Sequence, residues 1–163
     1  MASECLIINA SPLIFLARIG GLDWVGDLAE SPVLVPRAVV REIAAGEGGD
    51  EIVNHIERDP GFSSVSDITV PNVVTAWDLG AGETQVLAYA CREPSPIAIL
   101  DDKAARQCAR ALGVRLLGTL GVVLVAKRRG WIVRARPIIE HLQSKGMFLS
   151  ADLISIALRD VGE

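Results

Sequence analysis

The chain has 163 residues, of which 50% are hydrophobic and 22% are charged, and its formal net charge is −4. We predict a single domain over residues 1–163, and the apolar content excludes a disordered chain. The longest apolar stretch, 116–126, is shorter than the roughly 20 residues of a membrane-spanning helix, and the first five residues lack the basic region of a signal peptide. We therefore expect a cytoplasmic protein without membrane association.

Short apolar runs alternate with helical patterns along the chain. We predict strands at 6–8, 33–35, 64–70, 97–100 and 114–117. Between and after them we predict helices, the first with Ser11 as its N-cap, and the others over 36–46, 50–58, 82–92, 103–112, 120–127, 137–144 and 151–159. Apolar strands without polar alternation are typical of a parallel sheet that is covered on both faces. The pattern thus predicts an α/β domain with a mainly parallel sheet of four to five strands.

Polar residues follow three of the predicted strands. They are Asn9, the pair Asp101 and Asp102, and Thr119, and ligands of parallel sheets bind beyond these carboxyl ends. Two adjacent carboxylates after four apolar residues cannot both be buried without a cation or strong donors. A helix cap would explain Asp102 but not Asp101, so we predict a functional site there.

Two further carboxylates are ambiguous on their own. Glu83 opens a predicted helix, where acidic side chains are favoured anyway, and Glu42 lies in the middle of another. His55 and His141 have no metal-ligand spacing with each other or with a cysteine.

Charge is unevenly distributed along the sequence. Residues 1–100 hold 5 Lys and Arg against 14 Asp and Glu, whereas residues 101–145 hold 10 against 3. This distribution suits a protein that binds a metal on carboxylates and a polyanion beside it, although ordinary surface charge would explain it equally well. Lys127, Arg128 and Arg129 are the candidate polyanion contacts, and the alternative is that they complement the C-terminus of their helix.

An ordered set of motifs resembles the PIN-domain superfamily. The motifs are INASPLI (8–14), VP (35–36), REI (41–43), LGAGE (79–83), LDDK (100–103) with Arg106, LGTLG (117–121) and AKRRG (126–130). The sequence is most similar to a PIN-like branch related to VapC-type toxin ribonucleases, over about residues 5–158. The resemblance implies a three-layer α/β/α sandwich around the parallel sheet.

The resemblance also implies a ribonuclease site in which four acidic positions hold Mg²⁺ or Mn²⁺. Matched position by position, the second carboxylate is Glu42 and the third is Glu83. The fourth is Asp102 or its neighbour Asp101. The first position is an aspartate in the nuclease pattern, and here it is Asn9.

Two functions remain open on this basis. The first is a metal-dependent endoribonuclease, a VapC-like toxin that acts on RNA, is restrained by an antitoxin protein and forms a homodimer. In that reading Ser11 and Thr119 would place hydroxyl groups near the scissile phosphate or the metal ligands. The alternative is a catalytically weakened PIN fold that binds RNA or a protein without cutting, and Asn9 favours it.

Overall fold

A computed structural model describes residues 4–163 of the chain. The prediction that a signal peptide is absent depends partly on residues 1–3, which lie outside the described residues. Within residues 4–163, the helices are all too short or too polar to cross a bilayer.

A five-stranded parallel sheet forms the centre of the molecule. Its strands are β1 (Leu6–Ile8), β2 (Val33–Pro36), β3 (Phe62–Val65), β4 (Ile97–Ile99) and β5 (Leu116–Leu117). They are ordered β3-β2-β1-β4-β5, and every neighbouring pair is parallel. The predicted mainly parallel sheet of four to five strands is therefore confirmed.

Ten helices occur within the described residues. They are α1 (Ala10–Arg18), α2 (Leu22–Leu28), α3 (Arg37–Ala44), α4 (Gly49–Arg58), α5 (Asn72–Thr75), α6 (Ala81–Ala90), α7 (Lys103–Ala111), α8 (Thr119–Arg128), α9 (Arg136–Ser144) and α10 (Ala151–Asp160). Helices that flank a parallel sheet shield both of its faces from water, as a three-layer α/β/α sandwich requires.

Three local features differ from the sequence-based prediction. Ser11 is not an N-cap, because Asn9 leaves β1 in an extended conformation and α1 already begins at Ala10. The strand predicted at 64–70 begins and ends earlier, as β3. Residues 66–70 lie outside the sheet, and Asp67 and Ile68 there bond to neighbouring helices. Helices α2 and α5 are absent from the prediction, since their seven and four residues give too little periodic signal.

The apolar strands hold the sheet in the core. Ile7, Ile8 and Ile99 are completely buried, and burying such a side chain contributes about 1.5–3 kcal/mol. A second apolar cluster joins α8 to the C-terminal helices through Val123, Ile139 and other buried residues. Burial of β1 and β4 fixes the positions of the polar residues that follow them.

The strand order creates a switch point between β1 and β4. From β1 the chain proceeds to β2 and β3 on one side, and β4 and β5 then occupy the other side. The register pairs Ile8 with Ile99, so both strands end at the same level. Ligand sites in parallel sheets lie in the crevice at this point.

Candidate functional site

Asn9 lies at the carboxyl end of β1, directly beside the switch point. It is 1% exposed, and its backbone N–H donates to the carbonyl of Ile99 at 3.1 Å, as if it continued the strand. Its side-chain Nδ2 donates to Glu83 Oε1 at 3.0 Å. Its Oδ1 is buried and has no hydrogen-bond partner. A buried carbonyl oxygen without a donor is costly, so this atom lacks a partner that a bound cation would supply.

Glu42 reaches the same place from α3. Its Oε1 accepts a hydrogen bond of 2.8 Å from the backbone N–H of Gly82. Gly82 is the second residue of α6, where N–H groups have no acceptor within the helix. The carboxylate of Glu42 therefore occupies the N-terminal end of α6, where the helix dipole also favours a negative charge.

Gly82 has no side chain where these groups meet. A Cβ added there would lie 2.7 Å from Asn9 Oδ1 and 3.0 Å from both carboxylate oxygens of Glu42. Three oxygen atoms thus lie within 3.0 Å of one point next to the backbone of α6. Glycine is favoured here because a Cβ would force the buried Asn9 Oδ1 to shift.

A cleft of about 370 Å³ is lined by the residues that carry these oxygens. Its polar lining consists of Asn9, Ser11, Arg18, Glu42 and Glu83. Ser11 and Arg18 are seven residues apart on α1, which places them on one helix face. The sequence-based prediction missed Arg18, although that spacing from Ser11 was visible in the sequence. It also missed Gly82, whose role depends on contacts with residues 40 and more positions away.

Asp101 has its own partners beyond β4. Its Oδ1 accepts from the backbone N–H of Thr119 at 2.8 Å, and its Oδ2 accepts from the hydroxyl of Thr119 at 2.6 Å. Burial raises the pKa of Asp101 above its usual range, although the hydrogen bonds from Thr119 and the charge of Arg106 lower it in part. Asp101 thus links the end of β4 to the start of α8.

Asp102 points to a different neighbour. Its Oδ2 accepts a hydrogen bond of 2.9 Å from the backbone N–H of Ala105, so it caps α7. Asp101 and Arg106 line a separate cavity of about 490 Å³, which is otherwise mostly apolar and lies between β5, α8 and α10. The two adjacent aspartates therefore diverge.

The structure brings part of the predicted set together. Asn9, Glu42 and Glu83 share the cleft, whereas neither Asp101 nor Asp102 lines it. Within residues 4–163, no three of the four predicted carboxylates place an oxygen atom within 4.8 Å of one another. The cleft is therefore lined by two of the four predicted carboxylates and by the amide of Asn9.

A second polar cluster lies elsewhere on the surface. Asp23, His55 and Asp59 place one ligand atom each within 4.8 Å of one another. His55 Nε2 is 3.2 Å from Asp59 Oδ2 and 3.8 Å from Asp23 Oδ1. None of the three residues lines the cleft over Asn9.

The three basic residues at the end of α8 all have partners within the chain. Lys127 Nζ donates to the carbonyl of Val133 at 2.6 Å, and Arg128 forms an ion pair with Asp160 on α10. Arg129 donates to the carbonyl of Asp27 at 3.4 Å and lies over a tryptophan ring. These contacts hold α8 against neighbouring segments, yet Arg128 remains 51% exposed.

The donors in the cleft fit a hard divalent cation. Mg²⁺ and Mn²⁺ take oxygen ligands from carboxylates and amide carbonyls, and Mg²⁺ usually needs only one or two protein carboxylates. The unpartnered Asn9 Oδ1 and the carboxylates of Glu42 and Glu83 supply this set.

The chain matches a known protein family. The sequence profile of a protein family described as DUF3368, a PIN domain, matches residues 5–163. A search of curated proteins finds no match to the chain.

Proposed function

The chain belongs to this PIN-domain family, whose fold is of the nuclease type, and from that membership we propose that the protein is a metal-dependent endoribonuclease. Its substrate is RNA, and its cofactor is Mg²⁺ or Mn²⁺. The acidic cleft at the end of β1 is the active site. PIN domains generally use divalent metals, and the oxygen donors described above fit such an ion.

One observation carries this proposal. The buried Asn9 Oδ1, which has no hydrogen-bond partner, lies at the same point as both carboxylate oxygens of Glu42. The amide oxygen of Asn9 and the carboxylate of Glu42 repel each other there, because the N–H of Gly82 bonds to Glu42 and leaves Asn9 Oδ1 without a donor. A bound cation removes that repulsion and satisfies the amide oxygen.

The residues of the cleft have separate roles in this mechanism. Glu42 and Glu83 hold the cation through their carboxylates, and Asn9 holds it through its amide carbonyl. When bound, the cation supplies an activated water and offsets negative charge on the phosphate. Arg18 supplies a positive charge on the wall of the cleft, where its guanidinium group suits a phosphate oxygen. Ser11 offers a hydroxyl donor that lies about two turns of α1 nearer to Asn9 than Arg18 does.

Asp101 and Thr119 do not line the cleft and act on it indirectly in this mechanism. Their paired hydrogen bonds fix the loop after β4 against the start of α8. Asp102 caps α7 and is not needed as a ligand in this arrangement.

We further propose that the protein is the toxin of a toxin–antitoxin pair. An unrestrained endoribonuclease would damage its own cell, so an antitoxin protein restrains this one, and the active form is a homodimer. The apolar cavity lined by Leu120, Leu124 and Ile156 offers a surface for such contacts.

Metal titration followed by RNA cleavage tests the enzyme proposal. We expect calorimetric titration to show Mn²⁺ binding to the wild type, and Glu42→Gln and Glu83→Gln each to weaken it about 10-fold or more. Cleavage of end-labelled RNA should require Mn²⁺ or Mg²⁺ and should be lost in both variants. Glu47→Gln is the matched control, because Glu47 is an exposed glutamate in the loop after α3.

The alternative function is a binding module without cleavage. Asn9 favours it, because the cleft holds only two carboxylates within reach of the amide. In that case RNA should bind equally well with and without Mn²⁺, and no cleavage should appear at any metal concentration. RNA binding that depends on the metal, together with cleavage, excludes this alternative.

A further inference from the structure

A short segment after β3 connects the two helices that carry the glutamates of the cleft. Residues 66–68, which we call the strap, follow the edge strand and lie outside the sheet. The strap contacts α3 through one side chain and α6 through its backbone. Helix α3 carries Glu42, and α6 carries Gly82 and Glu83.

Asp67 attaches the strap to α3. Its Oδ1 accepts a hydrogen bond of 2.9 Å from the backbone N–H of Ala38, and its Oδ2 accepts one of 2.5 Å from Arg41. The residue at the N-cap position of α3 is Pro36, which provides no side-chain cap. Asp67 therefore acts as the missing cap from a distant part of the chain. Ala38 lies one helical turn before Glu42, and Arg41 directly precedes Glu42 in the sequence.

Gln85 attaches the other side of the strap to α6. Its Oε1 accepts from the backbone N–H of Ile68 at 2.9 Å, and its Nε2 donates to the carbonyl of Ile68 at 3.0 Å. The hydroxyl of Tyr89, one turn later on α6, donates to the carbonyl of Ser66 at 2.5 Å. The strap is thus held to α6 by three hydrogen bonds.

We propose that the strap is a clamp that sets the position of Glu42 relative to Gly82 and Glu83, with Asp67 and Gln85 as its positioning residues. The two helices pack directly against each other and are joined by the hydrogen bond between Glu42 and Gly82, and the strap adds a link between them through a third segment. Neither positioning residue lines the cleft. They act through the spacing of α3 and α6. The metal affinity of the cleft depends on that spacing, and this part of the inference rests on the function proposed above.

The hydrogen bond between Gly82 and Glu42 provides a readout that needs no metal. Because Gly82 N–H has no acceptor within α6, its protection from hydrogen exchange comes from Glu42. We expect Asp67→Ala and Gln85→Met to accelerate exchange of this amide about 10-fold, measured by NMR, while amides in the middle of α10 keep their rates. Asp67→Asn keeps an acceptor for Ala38 and should restore most of the protection.

Mn²⁺ titration of the same variants provides the second readout. We expect Asp67→Ala and Gln85→Met each to weaken binding about 10-fold, as is usual when a group that orients a ligand is removed. The matched control is Ser150→Ala, which removes the cap of α10 and leaves both the strap and the cleft intact. It should lower the melting temperature without changing Gly82 exchange or Mn²⁺ affinity.

The outcomes distinguish the clamp from the enzyme proposal. If the strap variants lose thermal stability but Gly82 exchanges at the wild-type rate, the strap only stabilises the fold and the clamp is wrong. If Gly82 exchange accelerates but the wild type binds no Mn²⁺, the clamp stands and the metal site fails. If Mn²⁺ binds the wild type and the strap variants equally, the helix spacing does not control the site.

Discussion

Asn9 Nδ2 donates a hydrogen bond to Glu83 Oε1 at 3.0 Å across 74 positions of sequence. This contact joins the end of β1 to the first turn of α6. A neutral amide therefore stands where the nuclease pattern has an aspartate. The amide provides a hydrogen-bond donor to Glu83 that an aspartate at position 9 would lack. The cleft also carries one negative charge fewer than it would with that aspartate.

Asn9→Asp should be less stable than the wild type without metal and more stable than the wild type with saturating Mn²⁺. Without metal, the new carboxylate faces Glu83 at hydrogen-bond distance with no donor between them, so one of the two must take up a proton. We expect the melting temperature to fall by about 2–4 °C for each kcal/mol of this repulsion. With saturating Mn²⁺ the variant should be the more stable form, because the added charge tightens metal binding. Scanning calorimetry with and without Mn²⁺ measures both effects.

Asn54→Asp provides the control for this substitution. Asn54 is an exposed residue of α4, so the same chemical change should alter neither stability nor affinity appreciably. Identical Mn²⁺ affinities of Asn9→Asp and the wild type would place Asn9 outside the metal site.

Gly82→Ala should damage the cleft although alanine is the better helix former. The new Cβ would lie 2.7 Å from the buried Asn9 Oδ1, which cannot move away as the exposed Glu42 can. We expect Mn²⁺ affinity to fall about 10-fold. Gly26→Ala is the matched control, since a Cβ at that position of α2 meets nothing closer than 3.9 Å. It should leave the affinity unchanged and can raise stability by up to about 1 kcal/mol.

Asp101 should make stability decline as the pH rises. Burial raises its pKa in the folded protein, with partial compensation from Thr119 and Arg106. Between the ordinary aspartate value of 3.8 and the raised value, the folded state binds more protons than the unfolded state. Stability contributed by protonated Asp101 is therefore present at low pH and is lost as the pH rises through this window. Urea unfolding at a series of pH values should show a weaker decline for Asp101→Asn.

Thr119→Val tests the cause of this behaviour. Valine keeps the size of threonine but removes the hydroxyl that donates to Asp101 Oδ2. The pKa of Asp101 should then rise further, and the window of declining stability should extend to higher pH. An unchanged pH profile would mean that the hydroxyl does not stabilise the carboxylate.

The basic residues of α8 should contribute both to stability and to RNA binding. Changing Lys127, Arg128 and Arg129 together to glutamate removes their contacts with neighbouring segments, including the ion pair of Arg128 with Asp160. We expect a modest fall in melting temperature. RNA affinity should fall strongly at low salt and become less dependent on salt, because fewer counterions are released. Filter binding at several salt concentrations measures the slope.

Arg92→Glu is the comparison for the triple variant. Arg92 is a surface arginine just after α6 that lies over the ring of Tyr89. The triple variant can lose melting temperature and still bind RNA with the wild-type affinity. That outcome would assign the basic residues a purely structural role.

The sequence by itself determined the fold class and the mainly parallel character of the sheet. Runs such as 6–8 and 97–100 have the length and composition of buried strands, and this signal is local to each run. Parallel strands place their following residues at one edge, so Asn9 and Asp101 were correctly expected there. The motif order also identified the PIN-domain family, which the match over residues 5–163 confirms.

The tertiary structure decided which polar groups meet. Asp101 and Asp102 are adjacent in sequence, yet one bonds to Thr119 and the other caps α7. The hydrogen bond between Glu42 and Gly82 depends on how α3 packs against α6. The contacts of the strap with both helices depend on the same packing. The partners of a side chain depend on the relative placement of distant segments and on its rotamer. Neither is encoded in the local periodicity from which strands and helices are read, because that periodicity records only which face of an element is buried.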